Sequence, residues 1–140
     1  MSWLLDTNIV SELRKGERAD ERLRTWFASV DDDEVFTSVL VLGEIRRGIE
    51  SIRGRDVSAA LAIEQWLIRL ATGFGDRILP VDVRIGDRWG TLNVPDPIPT
   101  VDGLLAATAL VHDLTLVTRN VKDVVGTGVR TLDPTIAGAI

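Results

Sequence analysis

Residues 4–13 read LLDTNIVSEL, and this stretch decides how the fold begins. Two leucines suited to a buried strand lead directly into Asp6, and apolar residues then resume with the spacing of a helix. A strand that passes at once into a helix begins a strand–helix–strand unit. Asp6 at the junction has two interpretations: a carboxylate that caps the helix, or one part of a site assembled from several segments.

The same alternation of strand and helix patterns continues along the chain. We predict strands at residues 3–6, 34–38, 77–81, 114–118 and 129–132, and helices at residues 7–15, 20–30, 39–53, 57–72, 83–92 and 101–112. Strands that alternate with helices predict an α/β fold with a parallel sheet. The three prolines of NVPDPIPT (93–100) mark a loop before the last helix and not a linker, so we expect one domain over residues 1–140.

The 140-residue chain has an ordinary globular composition, with 45% hydrophobic and 26% charged residues. Its net charge of −5 excludes a protein that coats nucleic acid non-specifically, because that affinity comes from clustered Lys and Arg. Of its 16 basic residues only Lys15 and Lys122 are lysines, and the others are arginines, which bind phosphate bidentately. Binding of nucleic acid would therefore need a local group of arginines, or a metal ion that offsets the charge of the acids.

No cysteine is present, which excludes disulfides and thiolate metal sites and fits a reducing compartment. The N-terminal MSWLLDTNIV lacks the basic region and the long apolar core of a signal peptide. The longest apolar stretch, LLAATALV, is too short to cross a membrane. We therefore expect a cytoplasmic protein that does not associate with a membrane.

Three aspartates lie where strands end or helices begin. Asp6 follows the first strand, Asp102 falls in the first turn after the proline loop, and Asp123 follows the strand at 114–118. Ligands of open parallel sheets bind at the carboxyl ends of the strands. Each acid alone has a simpler explanation, as a helix cap, a partner of the helix dipole or part of a capping box. Their conjunction in one α/β fold favours a common site.

Glu44 lies inside the helix predicted at 39–53. The apolar residues of that helix form one buried stripe of Val41, Leu42, Ile45, Ile49 and Ile52. Glu44 lies on the shoulder of this stripe, beside the bare Gly48, and can reach a crevice while its helix stays packed. The simpler alternative is a solvated surface glutamate.

The residue types that the chain lacks narrow the chemistry. His112 is the one histidine, placed where a cation suits the end of a helix, so paired-imidazole and Cys–His catalysis are excluded. Neither a P-loop nor a GxGxxG turn is present. Clustered carboxylates without imidazole suit Mg²⁺ or Mn²⁺, which points to metal-assisted phosphoryl chemistry.

Three segments carry a family resemblance: DTNIVSEL, GEIRRGI and VDGLLAATALVHDLTLVTRNVKDV. In this order and spacing they resemble the PIN-domain family, specifically the VapC-type toxins of type II toxin–antitoxin pairs, from Met1 to about Pro134. The resemblance implies a three-layer α/β/α fold around a mostly parallel sheet of about five strands. It also implies a Mg²⁺- or Mn²⁺-dependent endoribonuclease that forms a homodimer. A cognate antitoxin would silence it, in a hetero-oligomer.

The same resemblance implies the site residues. Asp6, Glu44, Asp102 and Asp123 would form the acidic metal site, Thr118 and Asn120 would orient the water or the acids, and Asn8 would support Asp6. One departure is Val124, since the family often has an aromatic residue after its last acid. With a metal at Asp6, we expect the capping of the first helix to be performed by Thr7 or Asn8.

Two alternatives remain open. One is a metal-dependent phosphohydrolase for small molecules, although the haloacid-dehalogenase type would need Asp-x-Asp where this chain has Asn8. The other is an inactive PIN-like binding module, against which the retention of all four acids argues.

Overall fold

The computed structural model describes residues 1–138. The strands are β1 (Trp3–Leu5), β2 (Val35–Ser38), β3 (Ile78–Leu79), β4 (Thr115–Val117) and β5 (Thr131–Leu132). The helices are α1 (Thr7–Leu13), α2 (Glu21–Ser29), α3 (Val39–Arg53), α4 (Val57–Phe74), α5 (Val83–Leu92) and α6 (Thr100–His112). Short 3₁₀ helices lie at Gly16–Arg18, Asp32–Glu34, Gly75–Arg77 and Val121–Thr127.

The five strands form one parallel sheet in the order β3-β2-β1-β4-β5. β1 is central, and its Leu4 pairs with Phe36 of β2 on one side and with Leu116 of β4 on the other. The chain therefore builds outward from β1 in one direction and then in the other, which creates a topological switch point between β1 and β4. This confirms the predicted α/β fold with a parallel sheet flanked by helices.

The core lies where the central strands meet the helices. Leu4 and Leu5 of β1 and Leu116 and Val117 of β4 are fully buried, because helices flank the sheet. α3 buries the predicted stripe through Val41, Ile45 and Ile49, with Leu42 and Ile52 half-buried at its margins. Arg46 and Arg53 of α3 both pair with Glu64 of α4, so both arginines join these two helices.

Several predicted boundaries need correction. The strands predicted at 34–38, 77–81, 114–118 and 129–132 are shorter than expected; β3 ends at Leu79 because Pro80 has no N–H for the ladder. The strand predicted at 3–6 ends at Leu5, since Asp6 caps α1. The first two helices are also shorter than predicted, whereas α4 continues to Phe74 and ends at Gly75, whose φ is 51°. The 3₁₀ helix after Asn120 was not predicted.

Helices of the described residues are all too short or too polar to cross a membrane.

Candidate active site

An open cleft of about 510 Å³ lies at the carboxyl end of β1, at the switch point of the sheet. Its lining contains three of the four predicted acids. The full lining consists of Asp6, Thr7, Asn8, Glu44, Pro99, Thr100, Val101, Asp102 and Asn120. We call this the carboxylate cleft. The fold therefore brings together residues that are up to 114 positions apart in the sequence.

Asp6 is buried at the floor of this arrangement and performs two tasks. Its Oδ1 accepts a hydrogen bond from the Thr7 backbone N–H at 2.6 Å, which caps α1. Our expectation that Thr7 or Asn8 caps this helix is therefore wrong, because the carboxylate already occupies the N-cap position. Burial raises the pKa of Asp6 above its usual value, although hydrogen bonds from Thr118 and Thr7 lower it in part.

Thr118 follows β4 and holds the other oxygen of Asp6. Its hydroxyl donates to Asp6 Oδ2 at 2.7 Å and accepts the backbone N–H of Asn120 at 2.9 Å. Accepting this N–H orients the hydroxyl hydrogen toward Asp6. The Asn8 amide approaches Asp6 Oδ2 at 3.4 Å and Thr118 Oγ1 at 3.5 Å, which are long, weak contacts.

Glu44 is held in the cleft by a residue that the sequence analysis did not assign to the site. The Thr7 hydroxyl donates to Glu44 Oε1 at 2.5 Å, while Glu44 Oε2 lies 3.9 Å from the guanidinium of the exposed Arg47. A methyl group at Gly48 would meet nothing within 4 Å, so the shoulder of α3 is open as expected. The available signal for Thr7 was its place beside Asp6, at the start of a helix.

Asp102 lies in the first turn of α6, which packs closely against α5. A methyl group at Gly103 would lie only 3.2 Å from the Trp89 ring, so glycine permits this approach of the two helices. Burial raises the pKa of Asp102, and the charges of Asp6, Asp123 and Glu44 raise it further. The charges of all three acids thus act on Asp102, as expected of one acidic cluster.

Asp123 stands apart from the other three acids. It lies in the first turn of the 3₁₀ helix Val121–Thr127 and lines a neighbouring cavity, whereas Asn120 reaches the carboxylate cleft. Its charge nevertheless acts on Asp102. The cleft thus contains Asp6, Glu44 and Asp102, with Asp123 beside it.

The donor set of the cleft fits a hard divalent cation, because it consists of carboxylate, hydroxyl and amide oxygens. No ion pair within residues 1–138 involves Asp6 or Asp102, so their charges are unbalanced. In the same part of the chain, no three Asp, Glu or His side chains are already grouped closely enough to hold one ion. Binding of one ion by these acids would therefore require rotation of their side chains.

Comparison with known proteins agrees with this geometry. The family model described as PIN domain matches residues 3–122, most of the chain. The chain belongs to the PIN-domain family. The family resemblance of the three segments is therefore confirmed.

The relatives of this PIN-domain chain include toxins and ribonucleases. Toxin FitB of Neisseria gonorrhoeae is 29% identical over 94% of this chain and 96% of its own length. Ribonuclease VapC14 of Mycobacterium tuberculosis is 31% identical over 70% of this chain and 85% of its own length. The crystal structure of FitAcB from N. gonorrhoeae superposes with a TM-score of 0.85 at 27% identity, covering 94% of this chain and 97% of that one. Other structures with this fold are toxin–antitoxin complexes, some of them bound to DNA.

Proposed function

We propose that this PIN-domain protein is an endoribonuclease that requires Mg²⁺ or Mn²⁺ and acts as the toxin of a toxin–antitoxin pair. The observation that carries the proposal is the carboxylate cleft, where three acids from distant segments meet and where neither Asp6 nor Asp102 pairs with a cation within residues 1–138. The reaction is hydrolysis of an RNA phosphodiester bond by water. We assign it to one PIN domain over residues 1–140.

Asp6, Glu44 and Asp102 would hold the metal, with Asp123 completing the set from the side of the 3₁₀ helix. A divalent ion held there supplies a Lewis acid, which activates water and offsets the charge that develops on the phosphate. The protein contributes the orientation of the acids. Thr118 and the Thr7 N–H fix both oxygens of Asp6, and the Thr7 hydroxyl fixes one oxygen of Glu44.

Asp102 and Asn120 are the adaptable members of the site. No hydrogen bond constrains the Asp102 carboxylate in the described residues, so it can rotate toward a ligand. The backbone N–H of Asn120 is bound to Thr118, which leaves its side chain to position water or a phosphate oxygen at the cleft. The site thus combines two acids held by hydrogen bonds with one carboxylate that has no hydrogen bond in the described residues.

We infer two kinds of protein partner. An antitoxin is the partner implied by the toxin relatives, and a cationic side chain of that partner would complement the carboxylate cleft. A second copy of this chain would pack on α4, where Val57, Leu61 and Ile68 are exposed along one face of the helix. The complex would be a hetero-oligomer of toxin and antitoxin, and the toxin would act on RNA in the cytoplasm.

The test is a cleavage assay on single-stranded RNA with the purified protein. Cleavage with millimolar Mg²⁺ or Mn²⁺, abolished by EDTA and restored by added metal, is the expected result. Asp6→Asn and Asp102→Asn should each abolish it, whereas Asp87→Asn on the exposed face of α5 should cut like the wild type. Hydrolysis of small phosphate esters with intact RNA would favour a phosphohydrolase. Metal binding without hydrolysis of either would identify a binding module.

A further inference from the structure

A second cavity lies beside the carboxylate cleft. It has a volume of about 240 Å³. One wall is formed by residues 94–98 of the proline loop and the other by residues 122–123 and 125–127 of the 3₁₀ helix. We call it the proline-loop cavity. Asp123 is the one proposed site residue that lines it.

The same two chain segments build both cavities. Residues 94–98 line the proline-loop cavity, and the next residues, 99–102, line the carboxylate cleft. On the opposite side Asn120 lines the cleft, and Lys122 and Asp123 line the cavity. A polymer whose phosphate lies in the cleft therefore has its neighbouring unit within reach of this cavity.

The walls of the cavity have the chemistry of a site for a flat, partly apolar group. Pro95, Pro97 and Val125 provide rigid aliphatic surface. Val94 and Val125 are 75% and 79% exposed, so they contribute almost nothing to the core. Exposed aliphatic side chains that meet at one concave place mark a binding surface. Bases of single-stranded RNA can be splayed out of their stack and then present such flat faces to a protein.

The charges of the cavity favour a base over a phosphate. Asp96 and Asp123 bring two carboxylates, and Lys122 brings one ammonium group, so the lining has a net negative charge. Carboxylates repel a phosphate but accept hydrogen bonds from the amino groups of bases. Lys122 is the cation available to the phosphate that joins the two nucleotides.

From this continuity and chemistry we propose that the proline-loop cavity binds the base of a nucleotide next to the scissile phosphate, and that it thereby selects the RNA sequence that is cut. The proposal rests on the ribonuclease function proposed above. Val94 and Val125 contact the faces of the base. Asp96 contacts its hydrogen-bonding edge and determines which base is preferred.

The experiment uses a pool of random-sequence single-stranded RNA with Mg²⁺, and sequencing of the product ends gives the base preference at each position around the cut. The variants are the double substitution Val94→Ser with Val125→Ser, and the isosteric Asp96→Asn. The control is Val83→Ser, which alters an exposed valine of α5 that lines neither cavity. Thermal melting checks that each variant is folded.

We expect the double variant to lose the base preference at one position beside the cut. Its KM for a well-cut RNA should rise about threefold to fivefold, less than for the loss of an aromatic stacking contact, with a smaller change in kcat. Asp96→Asn should shift the preferred base at that same position, and the control should match the wild type. If the wild type cuts RNA and both variants keep its full sequence preference, the cavity is not a base site, while the ribonuclease function stands. If the wild type does not cut RNA at all, the proposed function fails and the base site fails with it.

Discussion

Asp102→Asn is expected to abolish RNA cleavage and, at the same time, to stabilise the metal-free protein. The substitution keeps the shape of the side chain and removes one negative charge. Burial and the charges of three other acids raise the pKa of Asp102, so at neutral pH its ionised form is held in the folded state at a cost. Its carboxylate makes no hydrogen bond within residues 1–138 that the amide would lose.

The size of the effect follows from Coulomb's law. Two carboxylates roughly 8 Å apart repel by about 0.5–2 kcal/mol for effective dielectric constants between 80 and 20. The cleft is open, and salt screens charges at this distance, so the sum over the neighbours of Asp102 is reduced. The N-terminus of α6 favours the Asp102 carboxylate by about 0.3–1 kcal/mol, and the substitution loses this contribution. We therefore expect a net gain of about 0.5 kcal/mol, equivalent to an increase in Tm of about 2 °C for a domain of this size.

The sign of the pH dependence is fixed by the same cause. A carboxylate whose pKa is raised on folding binds its proton more tightly in the folded state, so it lowers stability as pH rises from its unfolded value through its folded value. The advantage of Asp102→Asn without metal should therefore be largest at neutral pH and should vanish near pH 4, the region of the unfolded value of 3.8.

The assay is thermal melting of wild type, Asp102→Asn and the control Asp87→Asn, each with EDTA and with Mg²⁺. Mg²⁺ at about ten times its Kd would stabilise the wild type by about 1.4 kcal/mol, and Asp102→Asn should lose most of this gain. The control should follow the wild type under both conditions. An Asp102→Asn protein that melts lower than the wild type in EDTA would refute the reasoning, because the favourable interaction of Asp102 with the α6 N-terminus would then outweigh the repulsion from the other acids.

Three further predictions address other parts of the molecule. Thr118→Val should lower stability by about 2 kcal/mol and cleavage at least tenfold, because the buried Asp6 loses its hydroxyl donor, whereas Thr118→Ser should retain both; melting and cleavage assays decide. The pKa of Glu12 is lowered by a hydrogen bond from Lys15 and by a backbone N–H before α2, so its stabilisation is present above the unfolded value of 4.5 and is lost as pH falls through the folded pKa. Acid-induced unfolding of Glu12→Gln should consequently show a weaker pH dependence than that of the wild type. Leu61→Glu should convert a dimer to a monomer in sedimentation at micromolar concentration, and a wild type that is already monomeric there would contradict the proposed α4 interface.

The sheet could be predicted because its signals are local. Hydrophobic strand patterns such as that of β1 alternate with helix patterns along the chain. This alternation allows few arrangements other than a parallel sheet. The hydrophobic pattern predicts where the short edge strands lie but not their first and last residues. β3 and β5 have two residues each, and their ends depend on pairing with a neighbour and on Pro80, not on the hydrophobic pattern.

The sequence predicts which residue types form the candidate site and where they lie along the chain, but it does not predict the hydrogen bonds between them. Three acids at strand ends or helix starts, and Glu44 on the shoulder of α3, are visible as exceptions to a hydrophobic pattern. The bond from the Thr7 hydroxyl to Glu44 joins residues 37 positions apart, and no local pattern contains it. Asp123 shows the same limit: its position after β4 suggested the cleft, but the 3₁₀ helix turns it toward the neighbouring cavity.

The two interpretations of LLDTNIVSEL are not alternatives, because helix capping is part of what makes an acidic site tolerable. Asp6 caps α1, Asp102 lies in the first turn of α6, and Asp123 lies in the first turn of a 3₁₀ helix. The free N–H groups and the positive end of a helix favour a carboxylate by about 0.3–1 kcal/mol each. Backbone donors therefore offset part of the mutual repulsion without any side-chain cation. Since no arginine or lysine neutralises Asp6 or Asp102 in the described chain, their negative charge stays available to a positively charged ligand.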